Sequence, residues 1–301
     1  MAEEEKQKAG EERESKKWYD KHYKLLFLLP VILLVSSLFY ISFFYVQNKD
    51  LMHKDVTLTG GTTITVYAEN SPEEIEKFLS VEGVDASVRS LADLRTGKQI
   101  AFSVESAIEA DRLRHVIEKN LGYNLTEENS SIEFTGSALS ESFYNELMMA
   151  LIIAFFLMAI VVFIIFRTTI PSLAVIFAAF SDIVITLAII DFFGIRLSTA
   201  GIAAFLMLIG YSVDTDIMLT TRLLKRKESF LLERMKEALR TGLTMTITSI
   251  AAVFSAYLII VSPVLKQLFL ILTIGLCIDL ITTWLGNASL LKWYCDKKHI
   301  L

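Results

Sequence analysis

Four aspartates stand inside long, otherwise uncharged stretches of this 301-residue chain: Asp182, Asp214, Asp216 and Asp279. A carboxyl at the centre of a bilayer costs about 3 kcal/mol or more, so each needs a partner, a proton or water. Asp182 and Asp279 each fall about twelve residues into their apolar runs, near mid-depth. Asp214 and Asp216 belong to the segment Gly210-Tyr211-Ser212-Val213-Asp214-Thr215-Asp216. Two residues apart on a helix is about 200° of rotation, so the two cannot face one neighbour. One is expected to face the bundle core and the other a partner subunit or water. Arg222 closes that run, and Arg240 opens the next at the head of a hydroxyl stripe, Thr241, Thr244, Thr248 and Ser255. Such a stripe serves helix–helix hydrogen bonding in many membrane proteins, and an arginine at a span end can snorkel to phospholipid. An acid and a base on adjoining helices beside hydroxyls also suit a proton relay. Asp214, Asp216, Arg240, Thr244 and Thr248 are the relay candidates, with Asp182 and Asp279 as further intramembrane acids. Arg240 is expected to meet Asp214 in one conformation and part from it in another, which makes Asp216 the less critical of the pair.

Other chemistries lack their residues. The histidines (His22, His53, His115, His299) are scattered without ligand spacing, so no metal is expected. Cys277 and Cys295 cannot build a disulfide framework. No Gly-x-x-x-x-Gly-Lys-Ser/Thr run exists to cradle a nucleotide, and no cofactor is expected. An intramembrane aspartyl protease could draw on two of Asp182, Asp214 and Asp279, but Gly-x-Gly-Asp is absent. Apolar residues are 53% of the chain, with 20 Phe and a mean hydropathy of +0.49, too much for an ordinary soluble enzyme. A net charge of −5 offers no basic surface for nucleic acid.

The elements that must position these acids are membrane helices. The first uncharged run, 25–46, is long enough to span a bilayer and reads as a retained signal anchor rather than a cleaved signal. A cytoplasmic tail, 1–24, precedes it. Five more spans follow at about 147–166, 170–190, 197–219, 242–261 and 267–291, with a tail at 292–301. With both termini in the cytoplasm, the inner segments hold 18 Lys and Arg while the short outer loops hold 2, Arg196 and Lys266. Region 47–146 then lies outside. Within it, Asp55–Ala68 alternates like a strand, and Ser71-Pro72-Glu73-Glu74 opens a helix with an N-cap, an N1 proline and first-turn acids. Ala86–Leu91 and Gln99–Val104 form a hairpin around Arg95-Thr96-Gly97-Lys98. Ala107–Leu121 is a second helix and Ser131–Thr135 a last strand. The predicted fold is a six-span α-helical membrane protein, one plus five, carrying a ferredoxin-like βαββαβ domain outside.

This layout resembles the SecF family of the Sec protein-export machinery, whose chains belong with SecD to the RND superfamily. Leu58-Thr59-Gly60-Gly61-Thr62 resembles the family's Thr-Gly-Gly stretch after the first span, although Thr57 stands where bacterial chains carry Asp. The segment Glu133-Phe134-Thr135-Gly136-Ser137 through Glu146-Leu147 is similar to the family's entry into the second span. Gly210, Tyr211, Ser212, Val213 and Asp214 through Arg222, then Arg240-Thr241 and Thr244–Ser249, resemble its fourth-to-fifth-span signature. Bacterial chains read Ser-Val-Asn-Asp where this one reads Ser212-Val213-Asp214-Thr215-Asp216, a variant similar to archaeal chains. The resemblance implies a non-enzymatic export subunit of the cell membrane, driven by a proton or sodium gradient. Its implied partners are a SecD-like subunit, the SecYE channel, exported polypeptide and membrane lipid. A half-size RND-type exporter of lipids or small molecules is the alternative. RND-type folds pair two six-span halves about a pseudo-two-fold axis, and one half alone would leave its acids against lipid.

Overall fold

The computed structural model describes residues 2–92, 98–225, 231–260 and 262–298. The Arg95-Thr96-Gly97 turn expected from the sequence lies outside them. The element order is α1 (Ala2–Asn48), α2 (Val56–Thr59), β1 (Gly61–Val66), α3 (Pro72–Val81), β2 (Ala86–Ala92), β3 (Gln99–Ser106), α4 (Ala110–Leu121) and β4 (Ser130–Thr135). The membrane bundle follows as α5 (Ser137–Phe166), α6 (Thr169–Phe192), α7 (Thr199–Lys225), α8 (Leu231–Ile259) and α9 (Pro263–Ile281). A six-residue π-helical turn, Thr282–Asn287, joins α9 to α10 (Ala288–Lys297). Among the described residues six helices are long and apolar enough to cross a membrane.

The small domain is a four-stranded sheet in the order β2-β3-β1-β4, every neighbouring pair antiparallel. With one helix after β1 and one after β3, this is the βαββαβ, ferredoxin-like arrangement. Alternation along β1 and β3 puts Ile64, Val66, Phe102 and Val104 on one face, against Ile75 and Leu79 of α3 and Leu113 and Ile117 of α4. The α3 start keeps its N1 proline and first-turn acids, although Ser71 makes no side-chain capping bond.

One stretch departs from the strand expected over Asp55–Ala68. Val56–Thr59 forms a single helical turn because the Asp55 carboxylate accepts a bond from the Thr57 amide at 3.2 Å. Gly60 (φ 81°) and Gly61 (φ 148°) then end it in backbone that disfavours any Cβ. A Cβ at Gly60 would land on the Ser137 backbone and one at Gly61 on the Ser106 carbonyl. The paired glycines therefore let the chain pass between the start of α5 and the end of β3.

The linker from α1 is fastened to the loop between α6 and α7. Lys54 pairs with Leu197 as an isolated parallel bridge, the Asp55 amide donates to the Leu197 carbonyl at 2.9 Å, and Leu197 donates back to His53 at 2.7 Å. Asp191, at the end of α6, accepts from the His53 amide (2.7 Å) and the Tyr40 hydroxyl (3.0 Å). In the bundle, Phe205 and Leu208 of α7 pack with Ile271, Leu272 and Leu276 of α9 in the central core. Helix α7 contacts α5, α6, α8 and α9, which is how its polar residues reach several neighbours at once.

Candidate functional site

The intramembrane acids divide into two groups. Asp182 of α6, Asp216 of α7 and Asp279 of α9 are all fully buried and share one hydrogen-bonded cluster. Asp182 accepts one hydroxyl on each oxygen, from Ser212 on Oδ2 and from Thr282 on Oδ1. The Thr283 hydroxyl lies 2.9 Å from Asp216 Oδ1 and 3.0 Å from Asp279 Oδ1. Asn287 donates its Nδ2 to Asp216 Oδ1 at 2.7 Å.

Local helix geometry assembles these groups. Ser212 and Asp216 are four apart on α7, and so are Asp279, Thr283 and Asn287 in succession, which stacks each set on one face. The π-turn widens the helix where two adjacent hydroxyls, Thr282 and Thr283, both point at carboxyls. Gly242 of α8 lies against the Trp284 indole of this turn, where a Cβ would overlap the ring. Among the described residues, no group of three His, Cys, Asp or Glu side chains is arranged to hold a metal ion.

The second group faces outward. Asp214, Gly210 and Tyr211 of α7 are exposed, and so are Arg240, Thr244 and Thr248 of α8. No ion pair joins Asp214 to Arg240 among the described residues. The hydroxyls of Thr241, Thr244, Thr248 and Ser255 bond back to the carbonyl one turn earlier in their own helix, at 3.0, 2.8, 2.8 and 2.6 Å. That bonding satisfies each hydroxyl within its own helix without recruiting a neighbour. Arg222 donates to the Glu237 carbonyl at 3.1 Å, tying the end of α7 to the start of α8.

The structure thus separates Asp214 from Asp216 in the way their 200° offset requires, with Asp216 in the core and Asp214 on the surface. It brings Asp216 together with Asp182 and Asp279, three positions that are 34 or more residues apart in the chain. Sequence reading missed Thr282, Thr283 and Asn287. Their signal was the series Asp279, Thr282, Thr283, Asn287 on one helical face of an apolar span.

A third polar cluster lies at the joint between the two parts. Glu105 of β3 is buried beside Asp55 and Arg89, its Oε2 3.5 Å from the Arg89 guanidinium. Burial, and then the Asp55 charge, push the Glu105 carboxyl up to about 7 from its ordinary 4.5, while Arg89 and Arg196 pull the other way. Burial raises Asp55 as well. Arg196 reaches across from the membrane bundle to Asp85 of the small domain at 3.1 Å.

Comparison with known proteins gives one consistent result. The profile of the family described as protein export membrane protein SecD/SecF, C-terminal, matches residues 115–297. The protein-export membrane protein SecF of Methanolacinia petrolearia is 37% identical over 279 residues, covering 91% of this chain and 94% of the relative. The SecF of Methanocaldococcus jannaschii is 37% identical, covering 91% and 96%, and that of Pyrococcus furiosus 35%, covering 92% of each. Among solved structures, SecDF, a translocon-associated membrane protein from Thermus thermophilus, superposes with a TM-score of 0.68 at 18% identity. The match covers 91% of this chain but only 38% of that one. SecDF in its super-membrane-facing form gives a TM-score of 0.57 at 18% identity.

Proposed function

We propose a function for this chain from the premise that it belongs to the SecF family of protein-export membrane proteins. It is a multi-pass membrane protein with an accessory, non-enzymatic role in Sec export. In the fuller reading, the chain is one six-helix half of an RND-type pair. A SecD-like chain supplies the other half, and the pair acts beside the SecYE channel on exported polypeptide. Both termini lie in the cytoplasm, in keeping with the bias of 18 basic residues to 2. A proton or sodium gradient drives the cycle, with Asp214, Arg240, Thr244 and Thr248 as relay groups.

The observation that carries this reading is the outward polar face of α7 and α8. Asp214 lies close to the middle of the Thr199–Leu224 span and is exposed. Facing hydrocarbon, it would cost about 3 kcal/mol or more, and the neighbouring stripe would gain nothing in return. A homologous half that presents its own polar face removes that cost and encloses Asp214 and Arg240 in a protein interior.

Export measured in inverted membrane vesicles tests this reading, with and without an ion gradient. Asp214→Asn and Arg240→Met should each abolish the gradient-stimulated share of export while the SecD-like chain still co-purifies. Unchanged gradient stimulation in both variants would remove the relay from this face.

A further inference from the structure

The buried cluster is short of hydrogens. Thr283 has one hydroxyl hydrogen, yet its oxygen lies within bonding distance of both Asp216 Oδ1 and Asp279 Oδ1. Asp216 Oδ2, Asp279 Oδ2 and Asn287 Oδ1 are buried acceptors to which no group among the described residues donates. Among the described residues, every hydrogen-bond partner of the three carboxyls is a hydroxyl, the Asn287 amide or another carboxyl, and the charges that bear on Asp216 and Asp279 are those of the cluster itself. Three bare negative charges in one fully buried site would cost far more than the helices could offset.

Asn287 is the independent sign of what is missing. It is 1% exposed, and it is a neutral side chain whose donor is used while its acceptor is not. A carboxyl and an amide are both planar and can meet along two parallel hydrogen bonds. One of these is present, Asn287 Nδ2 to Asp216 Oδ1. The second would join Asp216 Oδ2 to Asn287 Oδ1, and both of those are acceptors left without a donor. A single proton on Asp216 Oδ2 satisfies them together. A second proton, on Asp279, lets Asp279 donate to Asp182, with which it is in hydrogen-bond contact. Asp182, already holding two hydroxyl hydrogens, is then the one remaining anion.

The geometry points to a two-proton binding site within this chain, formed by Asp182, Asp216 and Asp279, in which Asn287 holds the Asp216 proton. The site is separate from the outward Asp214–Arg240 face. It rests on the ion-driven reading only for its use in export; the binding of protons stands on the hydrogen-bond count. Polar groups continue from it toward both ends of the bundle. Thr186 is one turn from Asp182, toward the end that bears the small domain, and Thr220 is one turn from Asp216, toward the opposite end. Both hydroxyls are buried without a hydrogen-bond partner among the described residues, so each can accept or pass on a proton.

Infrared spectroscopy of the full chain in lipid nanodiscs, together with any partner that co-purifies, tests the site. At neutral pH the wild type should show the carbonyl stretch of protonated carboxyls, shifted by deuterium exchange. Asp216→Asn keeps the neutral pair with Asn287 and should remove half of that band, and Asp279→Asn should remove the other half. Asn287→Leu should move the Asp216 component to the position of a free acid, and Asp214→Asn should leave the band intact. A wild type without the band, or a band that neither Asp216→Asn nor Asp279→Asn diminishes, overturns the proposal. So does a band that appears only when sodium is withdrawn, which would make the occupant a sodium ion. The band and the export assay fail separately: loss of gradient-stimulated export in Asp214→Asn with the band intact leaves the site standing. Absence of the band beside normal coupling removes the site alone.

Discussion

Replacing Glu105 by Gln should change how the small domain responds to pH, and the joint gives the size of the effect. Glu105 is 7% exposed, its Oε2 has no hydrogen-bond donor among the described residues, and burial and Asp55 hold it near 7 against an ordinary 4.5. The folded state therefore binds this proton more tightly than the unfolded chain does. Between about pH 4.5 and 7 the folded form carries more protons, so stability falls as pH rises through that window and levels off above it. At about 1.4 kcal/mol per pH unit, the whole loss is on the order of 3 kcal/mol, shared with Asp55. Hydrogen exchange at β1–β3, measured in nanodiscs at pH 5 and pH 8 and corrected for intrinsic rates, reads this directly. The wild type should lose roughly 100-fold in protection over that interval, the equivalent of about 3 kcal/mol. Glu105→Gln, neutral at every pH, should keep only the shallower slope that belongs to Asp55 and should match or exceed the wild type at pH 8. A wild type with no slope, or a variant with the same slope, would refute the assignment of the strain to Glu105.

Gly242→Ala should push against the rigid Trp284 ring beside the π-turn and destabilise the bundle by about 1–3 kcal/mol, seen as a lower midpoint of thermal unfolding in detergent. In a variant without Cys277 and Cys295, a cysteine at position 97 should react with an impermeant maleimide added outside the cell and one at 228 should not. The reverse pattern would invert the orientation.

The parts that were legible in the sequence are those where one physical preference dominates. Six apolar runs and the order strand–helix–strand–strand–helix–strand follow from hydrophobic length and period, which need no knowledge of partners. Helix ends were less legible. Helix α5 starts at Ser137 and α8 at Leu231, well before their uncharged runs, because a helix continues through residues such as Glu141 or Lys236 once they leave the hydrocarbon. The break at Asp55 was hidden because Val56 and Leu58 suit a strand or a helical turn equally, and only the Asp55 cap and the Gly60-Gly61 crossing decide it. The division between Asp214 and Asp216 was legible as an angle but not as a direction. Which one enters the core depends on where α6 and α9 pack. The π-turn leaves no mark in composition, so Asn287 went unnoticed although Asp279 had been singled out.

The central claim is that the α7–α8 face is completed by a second, homologous six-helix chain, and photo-crosslinking tests it most directly. A photoreactive residue placed at Thr244 of the full chain, activated in native membranes, should give an adduct with a SecD-like polypeptide of six spans, identified by mass spectrometry. The same adduct should form from position 214. Adducts with lipid alone at both positions, or with other copies of this chain, would contradict the account.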